Sequence, residues 1–193
     1  STLCGVGLTL CVSLAPLIRA DEVRVLWSAS DATLVESVGG TLANGSGPAF
    51  FAGRTSQSQN SRRRGLLEFD VAGSLPAGAS IVGVELLLEL TPSHPEPAWV
   101  VVHGLLMDWS EGPSVASGGG GQLAQPGDST WLHRSLPDLL WATPGGDFAT
   151  DPSTATLVGD VGPYRFASLG LAADVQAWLD GSSAEFGWIL LGD

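Results

Sequence analysis

The sequence predicts an all-β fold, a sandwich of short antiparallel strands with one short helix near the C-terminus. Three observations carry this. Apolar and polar residues alternate with period two, most clearly over 81–90, where Val82, Val84, Leu86, Leu88 and Leu90 alternate with Gly83, Glu85, Leu87 and Glu89. Turn formers are abundant, with 26 Gly and 12 Pro punctuating the alternating segments. One stretch shows helical spacing: Leu171, Val175, Trp178 and Leu179 share a face between Gly170 and Gly181, and Gly181 can stop the helix. At 193 residues the chain suits one domain with its own core, without internal repeats.

Residues 2–18 form a nearly uncharged apolar run without a helical period, followed by Arg19, Ala20 and Asp21. The pattern is that of the apolar region of a secretory leader, with Ile18 and Ala20 at the −3 and −1 positions of the cleavage site. No Met or basic stretch precedes it, as expected of a chain that begins inside such a leader. A retained membrane anchor is the alternative, for which the run is short. A leader over 1–20 takes Cys4 and Cys11 with it. The domain at 21–193 is then expected to be secreted or displayed at the cell surface, without a disulfide or a thiol nucleophile.

Within that domain, strands are expected at Val23–Ser28, Thr33–Ser37, Phe50–Gly53, Gly65–Asp70, Ile81–Leu90, Trp99–Leu105, Arg165–Leu169 and Trp188–Leu191. In Gly65–Asp70, Leu67 and Phe69 share one face and Leu66 and Glu68 the other. In Trp99–Leu105, Val100 and Val102 oppose Trp99, Val101 and His103. Ser74–Ala79, with its Pro-Ala-Gly, is a turn. Glu111–Thr130, which contains Gly118–Gly121, and Thr143–Pro163 are poor in regular structure. Loops this long usually bind something or pack as ordered excursions.

Four blocks carry a resemblance. They are Asp31–Glu36 with Leu42–Gly45 and Phe51–Arg54; Arg62–Asp70 with Leu75–Ile81; Trp109–Gly112 with Asp128–Trp131, Arg134, Trp141 and Gly145–Phe148; and Ala173–Asp180 with Phe186–Asp193. In order and spacing the chain resembles the DNRLRE-domain, disaggregatase-related proteins, a group overlapping a carbohydrate-binding-module family. The resemblance implies a jelly-roll sandwich, export, and membership of a larger surface or secreted protein. It also implies a further basic and aromatic segment and a closing strand beyond Asp193, so a truncated sheet with an open edge is expected.

The chain has 8 Arg, no Lys and 20 Asp+Glu, a formal net charge of −12. This argues against nucleic acid as a partner, because a phosphate backbone requires a basic footprint. Heavy use of Arg, Ala and Gly with no Lys points to a GC-rich bacterial genome. Arg62, Arg63 and Arg64, with Arg54 nearby, concentrate the positive charge, and guanidinium forks pair well with the carboxylates of uronates or with sulfated glycans. A solvated strand end paired with the chain's own Asp and Glu is the plainer reading. In a strand, Arg62 and Arg64 point one way and Arg63 the other.

Seven Trp are present. Trp178 and Trp188 lie in periodic segments and read as core, whereas Trp109, Trp131 and Trp141 flank the glycine-rich loops. These three are the candidates for stacking on sugar rings, or alternatively for anchoring loops. Asp128, Asp147, Asp151 and Asp160 lie in loops that could hold a structural calcium or simply form turns; no other cofactor is expected. No nucleophile elbow, zinc-protease motif or phosphate loop is present, and His94, His103 and His133 are scattered. The pairs Glu85/Glu89 and Asp108/Glu111 could imitate a glycosidase's carboxylates. The expectation is a non-catalytic module that binds polysaccharide, with a purely structural sandwich as the rival and a lyase or hydrolase as the third class.

Overall fold

The computed structural model describes residues 2–13, 21–91 and 96–192. Its strands are β1 (Thr2–Ser13), β2 (Asp21–Trp27), β3 (Ser30–Val35), β4 (Leu42–Asn44), β5 (Phe50–Phe51), β6 (Gly53–Arg54), β7 (Arg62–Glu68), β8 (Ser80–Leu90), β9 (Ala98–Gly104), β10 (Gln122–Leu123), β11 (His133–Ser135), β12 (Leu139–Leu140), β13 (Thr154–Val158), β14 (Gly162–Ala167) and β15 (Trp188–Gly192). Helix α1 is a single turn at Val71–Ser74, which the sequence reading does not include, and α2 spans Leu169–Leu179. Among the described residues the strands form two large antiparallel sheets and a small hairpin. The first sheet runs β14-β8-β1-β2 with β5 on β1; the second runs β10-β4-β3-β7-β15-β9-β13 with β6 on β7. The chain is therefore an all-β sandwich with a helix near its C-terminal end, as its alternation predicts.

Thr2–Ser13, the run assigned above to a leader, is paired as β1 between β8 and β2. The predicted cleavage site at Ala20 and His94 lie outside the described residues. No helix among the described residues is long and apolar enough to cross a membrane.

The inner faces of the sheets meet in one large core. Val84, Leu86, Leu88 and Leu90 of β8 point into it, with Leu67 and Phe69, Val100 and Val102, Phe166, Trp188 and Leu190. Val82 breaks the expected series and is exposed. A register shift between Cys11 and Val12 of β1 makes Gly83 and Ile81 the paired residues, so Val82 is the bulged position and Ile81 turns toward the core instead. At Gly65 the ring of Phe50 occupies the space a Cβ would need, so β7 carries glycine where the two sheets approach.

A second apolar cluster covers part of the outer face of the second sheet. Ala32, Leu34, Leu66 and Ile189 point outward beneath Leu105, Trp131 and Trp141, with Trp109, Leu132, Phe148 and Phe186 packed alongside. This is why Leu66 and Leu67 are both fully buried: neighbouring residues of β7 point to opposite faces, and both faces are dry. The segment from Leu105 to Phe148 is thus a packed excursion with a core of its own, whereas Thr154–Val158, read above as irregular, is strand β13 paired with β9.

Helix α2 starts where the expected strand Arg165–Leu169 would have continued. Its cap is Ser168, whose Oγ accepts the Leu171 N–H at 3.0 Å. Leu171, Val175 and Trp178 are buried, and Gly181, at φ 69°, follows the Asp180 C-cap. The Trp178 and Trp188 rings lie 4.7 Å apart, and Trp188 Nε1 donates to Asp174 at 2.7 Å.

Candidate ligand-binding surface

Strand β7 delivers three consecutive arginines to the end of the second sheet, and alternation separates them as predicted. Arg63 points inward and is 3% exposed. Its Nε donates to the Gly119 carbonyl, Nη1 to the carbonyls of Asn60 (3.0 Å) and Arg62 (2.7 Å), and Nη2 to Gln57 Oε1 (3.3 Å). Burial lowers its pKa, and Glu36 partly opposes this. The glycine run is what lets the loop reach this guanidinium. Gly121 adopts φ 70° with Val35 only 2.9 Å from where a Cβ would stand. In the sequence the arginine cluster and the glycine run are separate features, and their meeting has no signature in either segment.

Arg64 points outward but is tucked under the loops. Its Nη1 donates to the Gly145 carbonyl, and its guanidinium lies over Trp131 and Phe148 at 4.9 and 5.3 Å. Burial lowers its pKa, with Arg62 adding to the effect. Arg62 and Arg54 remain in solvent. Arg62 Nη1 is 3.9 Å from Glu36 Oε1, at the limit of an ion pair, and Arg54 donates to Ser61 Oγ at 3.3 Å.

These two arginines are register partners. Leu191 of β15 pairs with Arg64, but β15 then leaves β7, and β6 takes its place with Gly53 opposite Arg63 and Arg54 opposite Arg62. The exchange is tight: a Cβ on Gly192 would come within 2.8 Å of Gly53 Cα. Three clefts open around this junction, and Arg54 lines all of them. One of about 350 Å³ runs between Gly53–Ser56 and Glu96–Ala98. One of about 210 Å³ is walled by Arg54 and the three β7 arginines over Leu191 and Gly192, and one of about 190 Å³ lies toward Phe51 and Gly119.

The three loop tryptophans lie elsewhere. Trp131 and Trp141 are buried in the second cluster, and Trp141 Nε1 donates to the Thr130 carbonyl at 3.1 Å. Trp109 is half-buried against the same cluster and donates to the Phe186 carbonyl at 3.0 Å. Their rings anchor the loops to the sheet and line none of the three clefts. The exposed indoles are Trp27 on β2 and Trp99 on β9, neither of which sequence reasoning singled out as a site.

The loop aspartates with clear partners hold turns. Asp128 is fully buried and accepts the N–H groups of Ser114 (3.0 Å) and Gln125 (2.6 Å); Asp147 accepts those of Ala142 (2.7 Å) and Thr143 (2.8 Å). Among the described residues no three His, Cys, Asp or Glu side chains are grouped to share a cation. Of the carboxylate pairs, Glu85 is bonded to Arg165 and Asp108 to Arg134. Glu111 instead accepts the Asp31 N–H, and burial together with the Glu111 charge pushes the Asp31 carboxyl up to about 6.

No family model, curated protein or solved structure matches the chain.

Proposed function

We propose that the chain is a non-catalytic binding module for acidic polysaccharide, and that Arg54 and Arg62 at the β6–β7–β15 junction form its anion-binding centre. One observation carries this reading. The two guanidinium side chains occupy directly opposed positions on adjacent strands, where like charges destabilise. The ion partner of Arg62 among the described residues is Glu36, 3.9 Å away and held mainly by the Arg62 backbone N–H. A carboxylate or sulfate bridging both forks would relieve that repulsion and gain charge-assisted bonds. On a chain of net charge −12 the same island would orient an anionic polymer toward this end. The reading agrees with the resemblance to the DNRLRE-domain group and with a secreted or surface location.

A second reading, a structural sandwich module that recognises no sugar, is favoured by the loop tryptophans and by Arg63 and Arg64, all of which are built into the protein's own packing. Affinity electrophoresis separates the two. The chain is run through gels containing alginate, pectin, chitin or a neutral glucan, beside the Arg54→Ala/Arg62→Ala variant. Retardation by the acidic glycans, lost in the variant, supports the binding module. Unretarded migration of the folded wild type in every gel establishes the structural reading.

A further inference from the structure

The edge strands of the two large sheets differ in how they are closed. β5, β6 and β10 are two residues long. β13 and β14 lie side by side, with Pro163 in β14 and Thr156 Oγ1 of β13 donating to the Arg165 carbonyl. β2 has none of these devices. It runs for 7 residues, without Pro or Lys, in a register with β1 that has no bulge. No other strand among the described residues pairs with it. Its far edge therefore presents a straight row of main-chain donors and acceptors. Both sides of that row are wet. Val23, Val25 and Trp27 are 56%, 58% and 74% exposed on the outer face, and Glu22 and Arg24 are exposed on the face that Leu26 shares.

Glu22 and Arg24 bond one another along the strand at 2.6 Å. Read in reverse, Glu22-Val23-Arg24 is its own charge complement. In an antiparallel pair of two β2 strands centred on Val23, each Glu22 stands opposite Arg24 of the second copy, and Val23 stands opposite Val23. The charges close into a ring in which every neighbour has the opposite sign. The neighbouring registers lose this. Centring on Arg24 opposes two guanidinium groups, and centring on Val25 sets Arg24 against Leu26, which is 6% exposed and belongs to the core. Copies of net charge −12 repel at long range, so contact between them requires such local complementarity. We infer that β2 is a self-pairing edge, along which two copies of the chain join antiparallel about a two-fold axis at Val23 into one continuous sheet. The pairing uses residues 21–25, all beyond the expected cleavage site, and it is independent of the glycan reading.

The test is sedimentation equilibrium of the whole chain over a concentration series, with Glu22→Arg, Arg24→Glu and the double swap Glu22→Arg/Arg24→Glu. The wild type is expected to move from monomer to dimer as concentration rises. Each single reversal opposes like charges twice across the axis and is expected to weaken the dimer by about tenfold or more. The double swap is expected to recover it. An equimolar mixture of the two single variants is the decisive sample, because each is complementary to the other across the axis. Both singles lose the Glu22–Arg24 contact within their own strand, so a dimer regained on mixing reports pairing between chains and not repair of the fold. A wild type that stays monomeric at every concentration overturns the inference, and so does a dimer that neither reversal weakens. Stronger association of the wild type with Arg24→Glu than of either alone places the axis at Arg24 and overturns the register.

Discussion

The guanidinium of Arg64 lies 4.9 Å from the centre of the Trp131 ring while its Nη1 donates to the Gly145 carbonyl. One side chain thus links a central strand to two separate points of the loop layer. Gly145, at φ 91°, brings its carbonyl in because it has no Cβ to strike Trp131.

Arg64→Lys keeps the charge but removes the planar stack and the fork. We expect it to lower stability by about 1 kcal/mol, and Arg64→Ala by about 2 kcal/mol, because the alanine also forfeits the aliphatic packing. Urea unfolding curves measure both, and faster amide exchange at 143–148 would place the loss in the loop layer.

Asp31 gives a pH dependence of known sign. Its folded-state pKa of about 6 lies above the ordinary carboxylate value, so the native state holds the proton more tightly than the unfolded chain does. Its contribution favours folding at pH 4 and below, declines as pH rises from about 4 to 6, and is a net penalty at pH 7. Asp31→Asn is therefore expected to stabilise the protein by about 1–2 kcal/mol at pH 7, allowing for solvent screening, and to do little at pH 4. A pH series of melting temperatures for the two proteins checks this.

Gly65→Ala places a methyl group into the ring of Phe50 at the point where β7 meets β5 across the core. Both residues are buried, and the main-chain ladders to β3 and β15 leave β7 little freedom to shift. We expect a loss of about 2–3 kcal/mol in denaturant unfolding, eased when Phe50 is also shortened to Leu.

Asp128→Ala removes the acceptor for two loop N–H groups, one of them fully buried. The expected cost is about 2–4 kcal/mol, and Asp128→Asn should recover part of it by keeping one oxygen. Loss of protection at the Ser114 and Gln125 amides is the specific readout.

The sandwich was legible because period-two alternation survives wherever one sheet face is wet, as in β8 and β9, and because α2 bears its apolar face between capping signals. Legibility fails where both sides of a strand are covered: β15 reads Trp-Ile-Leu-Leu without alternation, β7 sets Leu66 beside Leu67, and nothing in Leu66 or Ile189 announces a second core. An unbroken apolar run is also how a leader and a central strand both read, which is why Thr2–Ser13 supports two descriptions. Of the candidate site, the arginines and their opposite directions followed from alternation alone. That Arg54 opposes Arg62 depends on where β15 yields its place to β6, a long-range pairing that no local pattern encodes. The loop tryptophans stand out in the sequence by position, but whether such a ring anchors or binds is decided by what covers it.

The second apolar cluster shares no residue with the main core. On heating, the loop layer over the second sheet can detach while the sandwich beneath it persists, giving two calorimetric steps instead of one. The first step would bare Ala32, Leu34, Leu66 and Ile189, a greasy stripe across three strands that a hydrophobic dye would light up. The working temperature of this protein would then be set by self-adhesion of that stripe, well before the sandwich itself melts.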